Sequence, residues 1–107
     1  MTTSNYTVVV GTIVHSLSLG ELQVIDRGAI VAKDGIIEKV VDLGSGGADA
    51  LAKLTAELGG SVPVTDYGTK FIVPGFIDTH CHAPQYVFTG TGMDLPLLKW
   101  LEKYTFP

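Results

Sequence analysis

Residues Ala29 to Val41 constrain the fold more than any other stretch of the chain. Two β-rich runs, Ala29-Ile30-Val31-Ala32-Lys33 and Ile36-Ile37-Glu38-Lys39-Val40-Val41, flank the dipeptide Asp34-Gly35. Asp-Gly tolerates the positive φ angles of a two-residue type I′ turn. The pattern therefore predicts a tight hairpin and, with it, an antiparallel sheet. Tyr6 to Val14, rich in valine and threonine, predicts another strand. Glu21 to Ile25 predicts a short one, separated from the first by the break Ser16 to Gly20.

After the glycine-rich stretch Leu43 to Gly47, Leu51, Leu54 and Leu58 recur at helical spacing. They predict a short helix over 48–58, stopped by Gly59-Gly60. Val62 to Thr65 and Thr69 to Val73 read as further extended pieces. Pro74-Gly75 marks a turn, and Phe76 to Thr79 is expected to be a strand. Ala83 to Gly92 carries Pro84, Gly90 and Gly92 and reads as a loop. A helix is then expected, with Asp94 as N-cap, Pro96 in its first turn and Pro107 at its end. Leu97, Leu98, Leu101 and Tyr104 form its core-facing stripe, and Trp100 is expected to cover a neighbouring element.

The order is strands first, then one strand–loop–helix unit. In barrels of eight β/α units, functional groups sit where the strands end and the loops begin. His80 and His82 occupy that position, two residues apart. Side chains at i and i+2 of a strand share a face. The pair can therefore offer two imidazoles to one metal ion, with Asp78 on the same side. Asp78 reads either as an acceptor orienting an imidazole or as a polar strand-end residue. Imidazole suits zinc, iron, nickel and copper alike. Two ligands do not complete a site, because a catalytic zinc takes three protein ligands and leaves one position open.

Other candidates are weaker. His15 has no partner nearby in sequence and reads as a surface residue. Cys81 alternates away from the histidines and is expected to pack. Gly44 to Gly47 lacks the Gly-x-x-x-x-Gly-Lys pattern of a phosphate loop. A net charge of −4 without a Lys/Arg cluster gives no electrostatic case for nucleic acid or anionic membranes. The single cysteine rules out an intrachain disulfide and agrees with a reducing compartment. It also rules out the cysteine-rich zinc site of the cytosine- and adenine-type base deaminases. The start, Met1 to Tyr6, lacks the positive region of a signal peptide, and Val8 to Val14 is too short to span a bilayer.

Val73-Pro74-Gly75-Phe76-Ile77-Asp78-Thr79-His80-Cys81-His82, preceded by the turn Lys33-Asp34-Gly35-Ile36-Ile37, resembles the opening of the amidohydrolase superfamily. The run His80 to Tyr86, with Asp94 to Leu98 and Trp100 to Pro107, is similar to the guanine deaminase family within it. The similarity is specific from about Phe71 to Pro107 and architectural over Met1 to Lys70. Cys81 and Pro84 depart from the pattern at motif-internal positions.

The resemblance implies an α/β architecture: a partial β-sandwich segment over 1–70, then over 71–107 the first β/α unit of a (β/α)8 barrel. It implies that His80 and His82 bind a catalytic zinc and that Gln85 hydrogen-bonds the purine. It implies hydrolysis of guanine to xanthine and ammonia by a cytoplasmic enzyme, homodimeric at full length. The family's remaining histidines, its proton-transferring glutamate and its aspartate lie downstream. None of this chain's three histidines follows His82. Residues 1–107 are accordingly expected to be the N-terminal portion of such an enzyme, inactive alone, with no acid–base residue of their own. Two alternatives stay open: another amidohydrolase acting on an amino- or chloro-substituted ring, and a non-catalytic truncated gene product.

Overall fold

The computed structural model describes residues 5–107; the start of the opening segment read above for a signal sequence, residues 1–4, lies outside them. The chain divides into two compact units, one running through Gly75 and the other from Phe76 to Pro107.

The first unit is a four-stranded mixed sheet in the order β3-β2-β1-β4. The strands are β1 (Tyr6–Ser18), β2 (Glu21–Lys33), β3 (Ile36–Asp42) and β4 (Val64–Ile72). The expected hairpin is present. Asp34 and Gly35 take φ angles of 51° and 84°, and Lys33 faces Ile36 across the turn. β1 and β2 also form a hairpin, closed at Leu19-Gly20. β2 is one long strand where the sequence predicts two. The register with β1 slips between Gly11 and Ile13, so the polar Asp26-Arg27-Gly28 stretch is a bulge inside the strand rather than a break.

Valine alternation supplies the core. Val8 and Val10 point to one face, opposite Val31 and Ala29 on β2, and all four are fully buried. Burying each valine contributes about 1.5–3 kcal/mol. The cover for this face is α1 (Gly47–Glu57), whose Leu54 is buried and whose Leu51 packs beside it, with Leu58 just past its end. The helix stops as expected, and Gly60 donates to the Thr55 carbonyl at 2.9 Å. One helix covers the valines, and among the described residues this unit is a single four-stranded sheet.

β4 runs parallel to β1, and its register jumps: Val10 faces Asp66 while Thr12 faces Phe71. The two extended pieces expected here are thus one strand with a wide bulge at 67–70. Asp66, at the start of the bulge, accepts the Gly68 N–H at 2.8 Å. It also receives both terminal guanidinium nitrogens of Arg27, at 2.8 and 2.5 Å. This fork ties β4 to β2 across β1. The guanidinium, with help from the Gly68 N–H, holds the Asp66 carboxyl down to a pKa of about 2, and the carboxylate in turn raises that of Arg27.

The second unit corrects three expectations. Phe76 to Thr79 is not a strand: it pairs with no strand among the described residues, and Phe76 and Ile77 are 95% and 91% exposed. A parallel strand exists only by pairing with another strand across a long connection. The expected β/α unit therefore lacks its strand. The helix is also shorter, α2 (Leu97–Trp100) continued by a wider π-type turn over Leu101–Thr105. Its N-cap is Pro96, and Asp94 does not cap it. Finally, Leu97 and Leu98 are exposed rather than core.

What holds this unit is aromatic. Trp100 lies 5.5 Å from Phe88, and Tyr104 lies 6.2 and 6.3 Å from Phe88 and Trp100, measured between ring centres. Trp100 thus covers a neighbouring element, the 3-10 helix Ala83–Phe88, which replaces part of the expected loop. The indole N–H donates to the Thr91 carbonyl at 2.6 Å. Gly92, at φ 68°, lets the chain turn beneath the rings; a Cβ there would lie 2.5 Å from Tyr104. Among the described residues no helix is long and apolar enough to cross a membrane.

Candidate metal and ligand site

His80 and His82 lie in the second unit on non-helical, non-strand backbone shaped by local hydrogen bonds. Asp78 Oδ1 accepts the His80 N–H at 3.0 Å. The His82 carbonyl accepts the Gln85 N–H at 2.9 Å, which starts the 3-10 helix. The Gln85 carbonyl accepts the Thr89 hydroxyl at 3.1 Å. Asp78 therefore fixes the backbone of the first histidine; neither of the two roles read from the sequence describes it.

These residues line one open concavity of about 910 Å³. Its walls include Asp78, His80, His82, Gln85, Tyr86 and Thr89. The structure thus gathers all three sequence-derived candidates, His80, His82 and Gln85. The two imidazole centres are 5.5 Å apart with planes inclined at 37°. Two imidazoles sharing a tetrahedral ion at about 2.0–2.1 Å would have ring centres roughly 5 Å apart. The observed ring spacing is close to that value. Among the described residues no group of three or more His, Cys, Asp or Glu side chains converges on one point.

Cys81 is a correction: it is exposed and lines the same concavity instead of packing. His15 is another. It is half-buried on β1, its Nε2 2.6 Å from Gln23 Oε1 on β2, so it has a cross-strand partner that sequence proximity does not reveal. Tyr86 ends the run His80 to Tyr86 that carries the resemblance but is given no role there, yet the residue is 81% exposed and lines the concavity.

No protein-family model matches the chain. Individual relatives do. Guanine deaminase of Dictyostelium discoideum is 46% identical over 103 residues, which is 91% of this chain and 23% of that protein. A probable guanine deaminase of Schizosaccharomyces pombe is 43% identical over 109 residues, covering 94% of this chain and 19% of its own length. Among solved structures, guanine deaminase from C. acetobutylicum with bound guanine in the active site superposes with a TM-score of 0.57 at 32% identity. That superposition covers 96% of this chain and 22% of the other. The chain therefore spans about a fifth to a quarter of the proteins it matches.

Sheet and histidine segment together correspond to the opening portion of an amidohydrolase fold. More narrowly, the chain is homologous to the N-terminal part of guanine deaminases.

Proposed function

We propose that this chain supplies the N-terminal sheet and the histidine segment of a zinc-dependent guanine deaminase, which converts guanine and water to xanthine and ammonia. The observation that carries the proposal is the 46% identity to such an enzyme over 91% of the chain. The concavity that gathers His80, His82 and Gln85 supports it.

In this reading His80 and His82 supply two of the zinc's protein ligands. The bound ion supplies Lewis-acid activation of water at neutral pH. Gln85 has the chemistry to read a purine edge, because its amide carries both a donor and an acceptor. The proton-transferring carboxylate and the remaining ligands come from a further part of the polypeptide. Residues up to 70 form the supporting N-terminal segment, and 71–107 open the (β/α)8 barrel. A cytoplasmic location and a homodimeric full-length enzyme belong to the same reading.

The test is guanine turnover by the polypeptide translated from the native transcript through its stop codon. Xanthine formation that depends on zinc and falls at least about a thousandfold in His80→Ala supports the proposal. A metal-loaded native polypeptide that turns over other amino- or chloro-substituted rings but not guanine sinks it. If the native frame stops at Pro107, the purified chain is expected to show no turnover. In this reading it would supply only two of the three ligands a catalytic zinc needs.

A further inference from the structure

We propose that Tyr86 is a substrate-positioning residue that stacks its ring against a planar purine held in the histidine-lined concavity. The inference rests on the deaminase reading of the site and adds to it a wall that no sequence signal assigned.

Three observations carry it. Tyr86 is exposed, so its ring is accessible to a ligand. It lines the same concavity as His80, His82 and Gln85, so a molecule reaching the imidazoles passes within its reach. Its placement is fixed by local structure: the Tyr86 carbonyl accepts the Thr89 N–H, and the preceding carbonyl accepts the Thr89 hydroxyl. The helix that presents Gln85 therefore presents Tyr86 as well.

The two side chains differ in what they can read. An amide selects the hydrogen-bonding edge of a ring. A phenol ring binds any flat π-face, whatever its edge groups. Gln85 and Tyr86 thus divide recognition between identity and planarity. Nothing else lining the concavity is a carbon-rich aromatic ring, since the histidines are committed to the metal in this reading.

The experiment uses 2-aminopurine, a soluble fluorescent purine that is quenched when it stacks on an aromatic ring. It is titrated with the zinc-loaded 107-residue chain. The wild type is expected to quench it saturably, and Tyr86→Phe to do the same. Tyr86→Leu is expected to weaken binding by about fivefold or more and to leave the bound probe bright. Gln85→Ala should weaken binding while the bound probe stays quenched. The circular dichroism of the Trp100 cluster verifies that each variant keeps its fold. Equal quenching by Tyr86→Leu and wild type overturns the proposal, as does a wild type with no saturable quenching. Neither result bears on the deaminase reading, which stands or falls on guanine turnover by the native polypeptide.

Discussion

The two units of this chain are held together in opposite ways. In the sheet, Val8, Val10, Ala29 and Val31 are sealed beneath Leu54, and the strands are joined by pairings up to 59 positions apart, as between Ile13 and Ile72. From Phe76 onward no residue is fully buried, and the hydrogen bonds that shape the histidine segment join residues two to four positions apart. The comparison separates stability from chemistry: the sheet keeps its own core, while the concavity sits in the unit that has none. Functional segments are commonly drawn from the less stable parts of a protein.

The sharpest way to break this contrast is to remove one leucine from each unit. Leu54→Ala is expected to destabilise the sheet by about 2–5 kcal/mol in chemical denaturation followed by circular dichroism. Leu97→Ala, at a position 69% exposed, should change stability by less than about 0.5 kcal/mol. Equal losses would mean that the second unit has a core of its own.

A backbone substitution comes next in size. Gly92→Ala forces a Cβ against Tyr104 at a positive φ and is expected to cost about 1–3 kcal/mol locally. Trp100 fluorescence should shift, while the far-ultraviolet signal of the sheet stays in place. Loss of both signals together would show that the units unfold as one.

Zinc binding probes the second unit alone. Calorimetry on the 107-residue chain should find one weak site, and His80→Ala or His82→Ala should each weaken it by more than about tenfold. An unchanged affinity in either variant would remove the metal from this segment.

The smallest effect concerns the fork between Arg27 and Asp66. Asp66 is depressed to a pKa of about 2 from an ordinary value of 3.8. A carboxylate whose folded value is lowered contributes stability above its unfolded value and loses it as pH falls through the folded one. The difference in melting temperature between wild type and Asp66→Asn should therefore be full above about pH 4 and close as pH falls toward 2. A difference that persists at pH 2 would assign the role of Asp66 to something other than its charge.

What the sequence made legible follows the same division. The Asp34-Gly35 hairpin and the leucine helix were readable because each is dictated by a local rule, a φ preference or a 3.6-residue period. The bulge that carries β2 through Asp26-Arg27-Gly28 was not, because an interruption in pattern does not distinguish a bulge from a loop. The Arg27–Asp66 fork, 39 positions apart, leaves no local trace at all. At the site, spacing alone brought His80 and His82 to notice, whereas Asp78, read either as an imidazole-orienting acceptor or as a polar strand-end residue, accepts the His80 backbone N–H. The strand expected at Phe76 failed for a different reason: apolar pattern describes a segment, but pairing is a property of two.

The turn made by Asp78 with the His80 N–H has a consequence for how the histidine segment comes into being. Contacts this short in sequence close on the submicrosecond scale, before any sheet can assemble. The backbone turn that carries the first imidazole is thus written into a few neighbouring residues. A short synthetic peptide spanning Pro74 to Gly92 should carry that geometry with it, as a portable cassette rather than a product of the finished fold.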